Sequence, residues 1–295
     1  MDGFFIFKVM DPTFKEHIAS LLGEAIKNFH HMTGGDISQA FKITTEHNHY
    51  FIKINTTKNA LNMFQTEADG LRLINEANTI KTPRVLLCDT FENASFLLME
   101  FIDNKTPSSL DFKNLGIQLA QLHQVTSEHF GLHQDNLIGS LPQSNSKHKS
   151  WIDFYTKERL IPQLKLAKQN GFLSPNECPS ENHIKERLES LFLNIKPSLL
   201  HGDLWSGNYL ISKKGEPYLI DPAIYFGHHE VDIAMTKLFG GFGKDFYDSY
   251  HSIFPNDKKT PSRIEIYQLY YLMVHLNLFG KSYYPSVSSI LKKHF

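Results

Sequence analysis

Residues 199–222 read LLHGDLWSGNYLISKKGEPYLIDP, and three polar side chains in this stretch organise what lies on either side of it. Asp203 stands five residues before Asn208 and 18 before Asp221, and each acid closes a short apolar run. Taken singly, the acids are ordinary turn residues and Asn208 an ordinary cap. Their order, spacing and apolar flanks together fit the needs of phosphoryl transfer. That reaction requires a carboxylate to orient an attacking hydroxyl and take its proton, and oxygen ligands for Mg²⁺ bridging the phosphates.

Protein kinases meet both needs with H-R-D-x-x-x-x-N followed by a D-F-G aspartate on the next strand. Here His201-Gly202-Asp203 and Asn208 match the first half, and Ile220-Asp221-Pro222 takes the place of the second. Asp203 is therefore the candidate base, with Asn208 and Asp221 the candidate metal ligands. A cation for the nucleotide phosphates is expected upstream, and Tyr50–Ile54 supplies Lys53 inside an apolar strand, where an unpaired ammonium is costly. Glu67, 14 residues later on a helical segment, is its expected partner, as in the lysine–glutamate pair of kinases. Gly34-Gly35 precedes the first strand of the hairpin and could bring backbone N–H groups to a phosphate, although it lacks the G-x-G-x-x-G pattern. The apolar run Phe96–Ile102 ends in a connector. There Glu100, Phe101 and Ile102 are placed to meet an adenine, through an acceptor at Glu100 and a donor at Ile102, with Met99 limiting the pocket's depth.

Outward from these residues the first hundred positions read helix, strand, strand, helix, strand, strand. Thr13–His31 has the apolar period of one amphipathic helix, with Ile18, Leu22, Ile26 and Phe29 on one face. Ala40–Thr44 and Tyr50–Ile54 form a hairpin, Leu61–Ala77 a helix, and Val85–Cys88 with Ser95–Phe101 a second strand pair. Beyond residue 103 strands become scarce. Helices are expected over 110–124, 151–169, 184–193 and 263–279, with a polar loop at Gly139–Ser150. The composition shift divides the chain into residues 1–102, a nucleotide-binding lobe, and residues 103–295, a catalytic and substrate-binding lobe.

Composition excludes several other classes. The 295 residues carry 30 basic and 31 acidic side chains, so no overall field favours nucleic acid or an anionic membrane. Cys88 and Cys178 are the only cysteines and form neither a disulfide framework nor a cysteine-type zinc site. The sixteen histidines show no zinc-helix spacing. The apolar run near the N-terminus is too short for a signal peptide, and no stretch of 18 apolar residues occurs, so the expectation is a cytoplasmic protein.

HGDLWSGN at His201–Asn208 resembles the catalytic segment of the fructosamine (ketosamine) kinases, whose Trp, here Trp205, sets them apart from most kinase-like relatives. GGDIS at Gly34–Ser38, FGLHQDNLIGSLPQSN at Phe130–Asn145, WIDFYTKERLIPQL at Trp151–Leu164 and HHEVDIAM at His228–Met235 extend the resemblance over nearly the whole chain. It implies an α+β, protein-kinase-like two-lobed fold of the aminoglycoside-phosphotransferase type, with a small N-terminal mixed lobe and a larger, mainly helical C-terminal lobe. It also implies ATP and Mg²⁺ as cofactors, and transfer of phosphate to the 3-hydroxyl of a small-molecule or protein-bound ketosamine. Elimination of that phosphate then reverses the glycation. On the acceptor side it points to His201, Trp205 and Trp151, while Asp232 braces the catalytic loop. Ser38 and His229 depart from the family pattern, which has Asn and Arg there. Another kinase of this fold, acting on an aminoglycoside or choline, and a catalytically silent nucleotide binder are the competing readings.

Overall fold

The computed structural model describes residues 12–32 and 38–295. The chain forms two compact units: Met1–Arg72 with Pro83–Asp103, and Leu73–Thr82 with Asn104–Phe295. The division differs from a single cut near residue 103 because residues 73–82 leave the first unit. Ile74 and Ile80 are buried in the core of the second, and Lys81 pairs with Glu216 at 2.6 Å.

In the first unit α1 (Pro12–Leu22) precedes an antiparallel sheet of five strands, β1 (Asn28–Met32), β2 (Gln39–Thr44), β3 (His49–Asn55), β4 (Val85–Phe91) and β5 (Ala94–Glu100). Their order across the sheet is β1-β2-β3-β5-β4. Helix α2 (Ala60–Glu76) lies between β3 and β4 in sequence. Strand alternation gives the sheet two apolar faces. Phe41, Ile43, Ile52, Ile54, Phe96 and Leu98 pack with Phe14 and Ile18 of α1. Leu97 and Met99 pack with Phe64, Ala68 and Leu71 of α2.

The single helix expected over Thr13–His31 is replaced by α1 and β1. Gly23, at φ +67°, takes up the left-handed conformation that ends a helix, and the chain leaves it after Leu22. Phe29 satisfies the helical period but is buried from a strand, 5.5 Å from the Phe41 ring and 6.4 Å from Phe14. Packing in the sheet overrides the local period.

The second unit is mainly helical: α3 (Ser109–His123), α4 (residues 151–169, with a π-helical stretch at Tyr155–Leu160), α5 (Glu181–Glu189), α6 (Glu230–Leu238), α7 (Lys244–Ile253), α8 (Thr260–Phe279) and α9 (Tyr284–His294). Three short antiparallel pairs interrupt it. They are β6 (Asn136–Ile138) with β7 (Leu141–Gln143), β8 (Ser198–Leu200) with β11 (Tyr225–Gly227), and β9 (Tyr209–Ile211) with β10 (Pro217–Leu219). The first pair lies partly in the stretch expected to be loop. Helix α3 begins with a capping box, Ser108 accepting from the Asp111 amide and Asp111 from the Ser108 amide. Helix α8 is the core element, burying Tyr267, Tyr271, Met273 and Leu276 completely. Both cysteines are free.

Gly116 lets α3 approach α7 closely: a Cβ built there falls 2.3 Å from the Phe246 carbonyl oxygen. Alanine ordinarily gains about 1 kcal/mol over glycine inside a helix. Here the obstacle is backbone, so the helices must separate, and overpacking of this kind costs about 1–3 kcal/mol. Gly116→Ala is expected to lower the urea midpoint with the slope unchanged, a net loss of up to about 2 kcal/mol.

Candidate active site

In the first unit the alternation of β3 turns Ile52 and Ile54 toward α1 and leaves Lys53 on the α2 side of the sheet. Glu67 lies on α2 beside buried Ala68, and the Lys53 ammonium donates to Glu67 Oε1 at 2.8 Å, both side chains largely enclosed. Helix α2 thus supplies a carboxylate to an ammonium that the strand could not otherwise bury. Asn55, at the end of β3, donates to the Ser38 hydroxyl at 3.2 Å. Glu100 closes β5, its backbone N–H donating to the Arg84 carbonyl and its carboxylate accepting from the Arg84 amide. The Phe101 ring lies 4.1 Å beneath the Lys42 ammonium, Ile102 is buried, and Met99 is buried against α2. Gly34 and Gly35 lie outside the described residues.

In the second unit β8 delivers the chain into a tight loop. Asp203 is only partly open to solvent, and burial, reinforced by the charges of Asp221 and Asp232, raises its carboxyl to a pKa of about 7, against the opposing hydrogen bond from Asn208. Asn208 donates from Nδ2 to the Asp203 carbonyl at 2.8 Å and approaches Asp203 Oδ2 at 3.4 Å, so Oδ1 is the side-chain atom that could hold a metal. Asp221 sits at φ +54°, an uncommon conformation for a residue with a Cβ. The Ile220 N–H donates to the Asn208 carbonyl at 3.0 Å, which brings the segment carrying Asp221 beside Asn208, and a carboxylate and an amide oxygen are the hard donors that a divalent cation takes. Among the described residues no group of three His, Cys, Asp or Glu side chains could hold a metal alone. A Mg²⁺ bound with nucleotide needs no such group, because phosphate oxygens and water complete its shell.

A second carboxylate holds this loop. Asp232, fully buried on α6, accepts from the backbone N–H groups of His201 and Gly202, each at 2.8 Å. Its Oδ2 also lies 3.1 Å from His123 Nε2. Burial alone pushes the Asp232 carboxyl up, but the hydrogen bond from His123, the histidine fields and the Gly202 amide outweigh it and hold the group below its usual range. Tyr250 lies 2.7 Å from His123 Nδ1 and 3.0 Å from His229 Nδ1. One assignment satisfies the whole chain with neutral rings: His229 donates to Tyr250, Tyr250 to His123, and His123 to Asp232. Tyr271 of α8 donates to the Gly202 carbonyl at 2.8 Å. Gly202 itself is at φ +84°, and a Cβ there would fall 2.0 Å from the Ala223 oxygen. Only glycine fits.

The backbone after Asp221 is held by residues that motif spacing did not single out. Asn136 donates to the Ile224 carbonyl at 2.8 Å, and Gln143 to Asn136 at 2.8 Å and to the Ala223 carbonyl at 3.3 Å. Tyr270 donates to Gln143 at 2.6 Å. Arg159, fully buried in the π-helical stretch, donates to the Ser144 carbonyl and to Asn145 Oδ1, and stacks 3.9 Å from the Tyr225 ring centre. In the sequence, Asn136, Gln143 and Arg159 are marked only by the blocks at 130–145 and 151–164, and Tyr270 by none.

Two expectations for the acceptor side are corrected. Trp151 is buried in the core, stacked on Tyr155 and Phe154, with its indole N–H donating to Tyr267 at 2.9 Å. It packs; it has no face for a substrate. His201 is fully buried, Nε2 donating to the Ile220 carbonyl at 2.8 Å and Nδ1 accepting from the Asp203 amide at 3.2 Å. It ties the two acidic segments together. Trp205 differs from both, being 40% exposed, its ring lying so close over Gly207 that a Cβ there would fall 2.3 Å from it.

A family model described as fructosamine kinase matches residues 10–295. The chain belongs to the fructosamine kinase family. It is similar to the probable ketoamine kinase of Lactiplantibacillus plantarum, 39% identical over 282 residues that cover 95% of this chain and 99% of the relative. It is also similar to the chloroplastic protein-ribulosamine 3-kinase of Arabidopsis thaliana, 38% identical over 88% of this chain and 79% of the relative. Among solved structures, a fructosamine-3-kinase candidate from Haemophilus somnus 129PT superposes with a TM-score of 0.85 at 29% identity, covering 96% of each chain. An aminoglycoside phosphotransferase in ternary complex with AMP-PNP and hygromycin B superposes with a TM-score of 0.62 at 13% identity, over 96% of this chain and 98% of that one. That likeness concerns the fold alone. The α+β, protein-kinase-like fold and the phosphotransferase class of this fructosamine kinase family member are thereby established. Among the described residues no helix is long and apolar enough to cross a membrane.

Two outcomes test the brace in this family member. Asp232→Asn replaces one of the two acceptors by a donor facing a backbone N–H, and is expected to cost about 2–4 kcal/mol in urea unfolding, with kcat falling alongside. The buried histidines give an acid signature. Burial lowers His201, drives His228 well below its usual value, and takes His229 from 6.5 to about 3. The unfolded chain therefore binds more protons once the pH falls through 6.5, and stability drops from there down to the folded values. Each such histidine contributes a slope of about 1.4 kcal/mol per pH unit. His229→Gln, which can still donate to Tyr250, is expected to flatten the dependence by about one such slope in urea titrations between about pH 7 and pH 5.

Proposed function

We propose that this protein transfers the γ-phosphate of ATP to the 3-hydroxyl of ketosamines, with Asp203 as the base. The observation that carries this reading is the placement of the Asp203 carboxyl. It sits on a loop fixed by the buried Asp232 carboxylate, is partly open to solvent, and is held beside Asn208, whose Nδ2 donates to the Asp203 carbonyl at 2.8 Å. A carboxylate so fixed can orient an attacking hydroxyl and take its proton. The names of the relatives, ketoamine kinases and protein-ribulosamine 3-kinases, support a sugar rearranged onto an amine as the acceptor, whether a small molecule or protein-bound.

In this reading Lys53, fixed by Glu67, meets the nucleotide phosphates, and Glu100, Phe101 and Ile102 receive the adenine. Asn208 and Asp221 would hold Mg²⁺, which neutralises charge on the phosphates when bound. Asp203 orients the 3-hydroxyl and accepts its proton as the oxygen bonds to phosphorus and the bond to ADP breaks. Trp205 offers an exposed ring to the sugar. The product carries phosphate on the carbon next to the ketone, so enolisation toward the amine-bearing carbon expels inorganic phosphate, and water then hydrolyses the imine that forms, which frees the amine and reverses the glycation. ATP as donor and two free thiols fit a cytoplasmic reaction.

An aminoglycoside or choline acceptor is disfavoured by charge. Residues 263–295 contain one acid, Glu265, which is engaged by Lys293 and His294. A silent nucleotide binder is disfavoured because Lys53, Glu67, Asp203, Asn208 and Asp221 are all present. ATP consumption with ribuloselysine, fructoselysine, choline and kanamycin tests the reading. Turnover is expected with the ketosamines alone. Asp203→Asn is expected to lower kcat by about 10²–10⁴-fold while nucleotide binding persists. Turnover of kanamycin or choline in their place would overturn the acceptor assignment, and a fully active variant the assignment of the base.

A further inference from the structure

The second unit exposes five large apolar side chains among the described residues: Leu110, Leu193, Trp205, Phe239 and Phe279. Phe239, 42% exposed, and Phe279, 53% exposed, belong to one strip. His275 lies between them, its ring 4.8 Å from Phe239 and 5.5 Å from Phe279, and Tyr283 adds a fourth ring 5.1 Å from His275 and 6.4 Å from Phe279. Contiguous exposed aromatic surface on a soluble unit marks contact with something.

Two separate ties connect this strip to the catalytic loop. Tyr271 donates to the Gly202 carbonyl, and His275 follows one helical turn later, its Nδ1–H donating to the Tyr271 carbonyl at 2.8 Å. Phe279 lies a further turn along, so the strip leaves the Asp203 loop along the end of α8. Phe239 opens the loop to α7. There Gly241 accepts from Tyr209 at 3.0 Å and lies so close to Ser206 that a Cβ would fall 2.3 Å from it. The exposed Trp205 is the residue before Ser206.

We infer that Phe239, His275, Phe279 and Tyr283 form the subsite for the amine-bearing part of the ketosamine, an ammonium with an apolar or aromatic substituent. The inference rests on the proposed ketosamine acceptor. Such an acceptor joins a sugar, held at Asp203, to a secondary amine that is cationic near neutral pH, and the carrier must leave the loop in some direction. Aromatic faces attract an ammonium and also cover the carbon chain that bears it. No acid in residues 263–295 is available to do so, since Glu265 is already paired with Lys293 and His294. His275 fits the role. Burial lowers its pKa, so it adds no positive charge, and with Nδ1–H committed to Tyr271 its Nε2 is left as an acceptor.

The test compares ribulosamines of methylamine and of benzylamine, which share the sugar and differ in the carrier. In the Phe239→Ser/Phe279→Ser double variant the ratio of kcat/KM for the benzylamine adduct over the methylamine adduct is expected to fall about tenfold, chiefly through KM. Phe239→Tyr/Phe279→Tyr, which keeps both rings, is expected to retain the wild-type ratio. A merely structural role lowers both adducts alike, and an unchanged ratio overturns the subsite. A variant that alters the oligomeric state and not the ratio makes the strip a contact between two copies of this chain, and overturns it as well. If the wild-type protein phosphorylates neither adduct, the ketosamine reading itself fails and the subsite with it; activity with an unchanged ratio removes the subsite alone.

Discussion

One carboxylate, sealed from water, holds the Asp203 loop in shape. Asp232 accepts two successive backbone N–H groups, from His201 and Gly202, and is held by His123 on its other side. A buried anion is costly unless every lone pair is used. The cost here is offset by three donors, and the chain behind them extends through Tyr250 to His229. The geometry that follows is rigid. Gly202 must adopt a positive φ, its carbonyl is fixed from α8 by Tyr271, and Asp203 is left partly open among groups that raise its proton affinity. The same carboxylate that shapes the loop also contributes to the field that raises the Asp203 carboxyl.

The family-specific sequence blocks acquire a physical meaning against this loop. The 130–145 block brings Asn136 and Gln143 to the carbonyls of Ile224 and Ala223, just beyond Asp221. The 151–164 block brings Arg159 to the back of that block, through a π-helical turn that aims its guanidinium at Ser144, Asn145 and the Tyr225 ring. The 228–235 block carries Asp232 and the histidine chain, and its Glu230 pairs with buried Arg263 at 2.6 Å. Each block therefore contributes to holding the backbone on which Asp203 and Asp221 stand.

Legibility in the sequence followed how local the determining interaction was. The Lys53–Glu67 pair could be read because an apolar strand and a following helix leave an embedded ammonium one natural partner. Asp203 and Asn208, five residues apart, are joined by a hydrogen bond from Asn208 Nδ2 to the Asp203 carbonyl, a local contact that the spacing alone does not specify. The long helix over Thr13–His31 failed because apolar period alone does not register a left-handed glycine, here Gly23, or the sheet edge that takes Phe29. His201 and Trp151 were misread for a related reason. A motif gives a residue's position along the chain but not what encloses it: His201 is met by Ile220 from the far end of its own stretch, and Trp151 by Tyr267 from a distant helix. Asn136, Gln143 and Tyr270 belong to the same class, their partners lying 80 or more residues away.

The central claim is that this loop activates one hydroxyl, the one on the carbon next to the ketone. Phosphorus NMR on a reaction of the purified protein with ATP, Mg²⁺ and ribuloselysine carbon-labelled along the sugar locates the new ester directly. A phosphorus–carbon coupling pattern that places phosphate on the third carbon, followed by its decay to inorganic phosphate as free lysine appears, is the predicted result. An ester on any other carbon, or ADP and inorganic phosphate formed with no sugar ester and no lysine released, would contradict it.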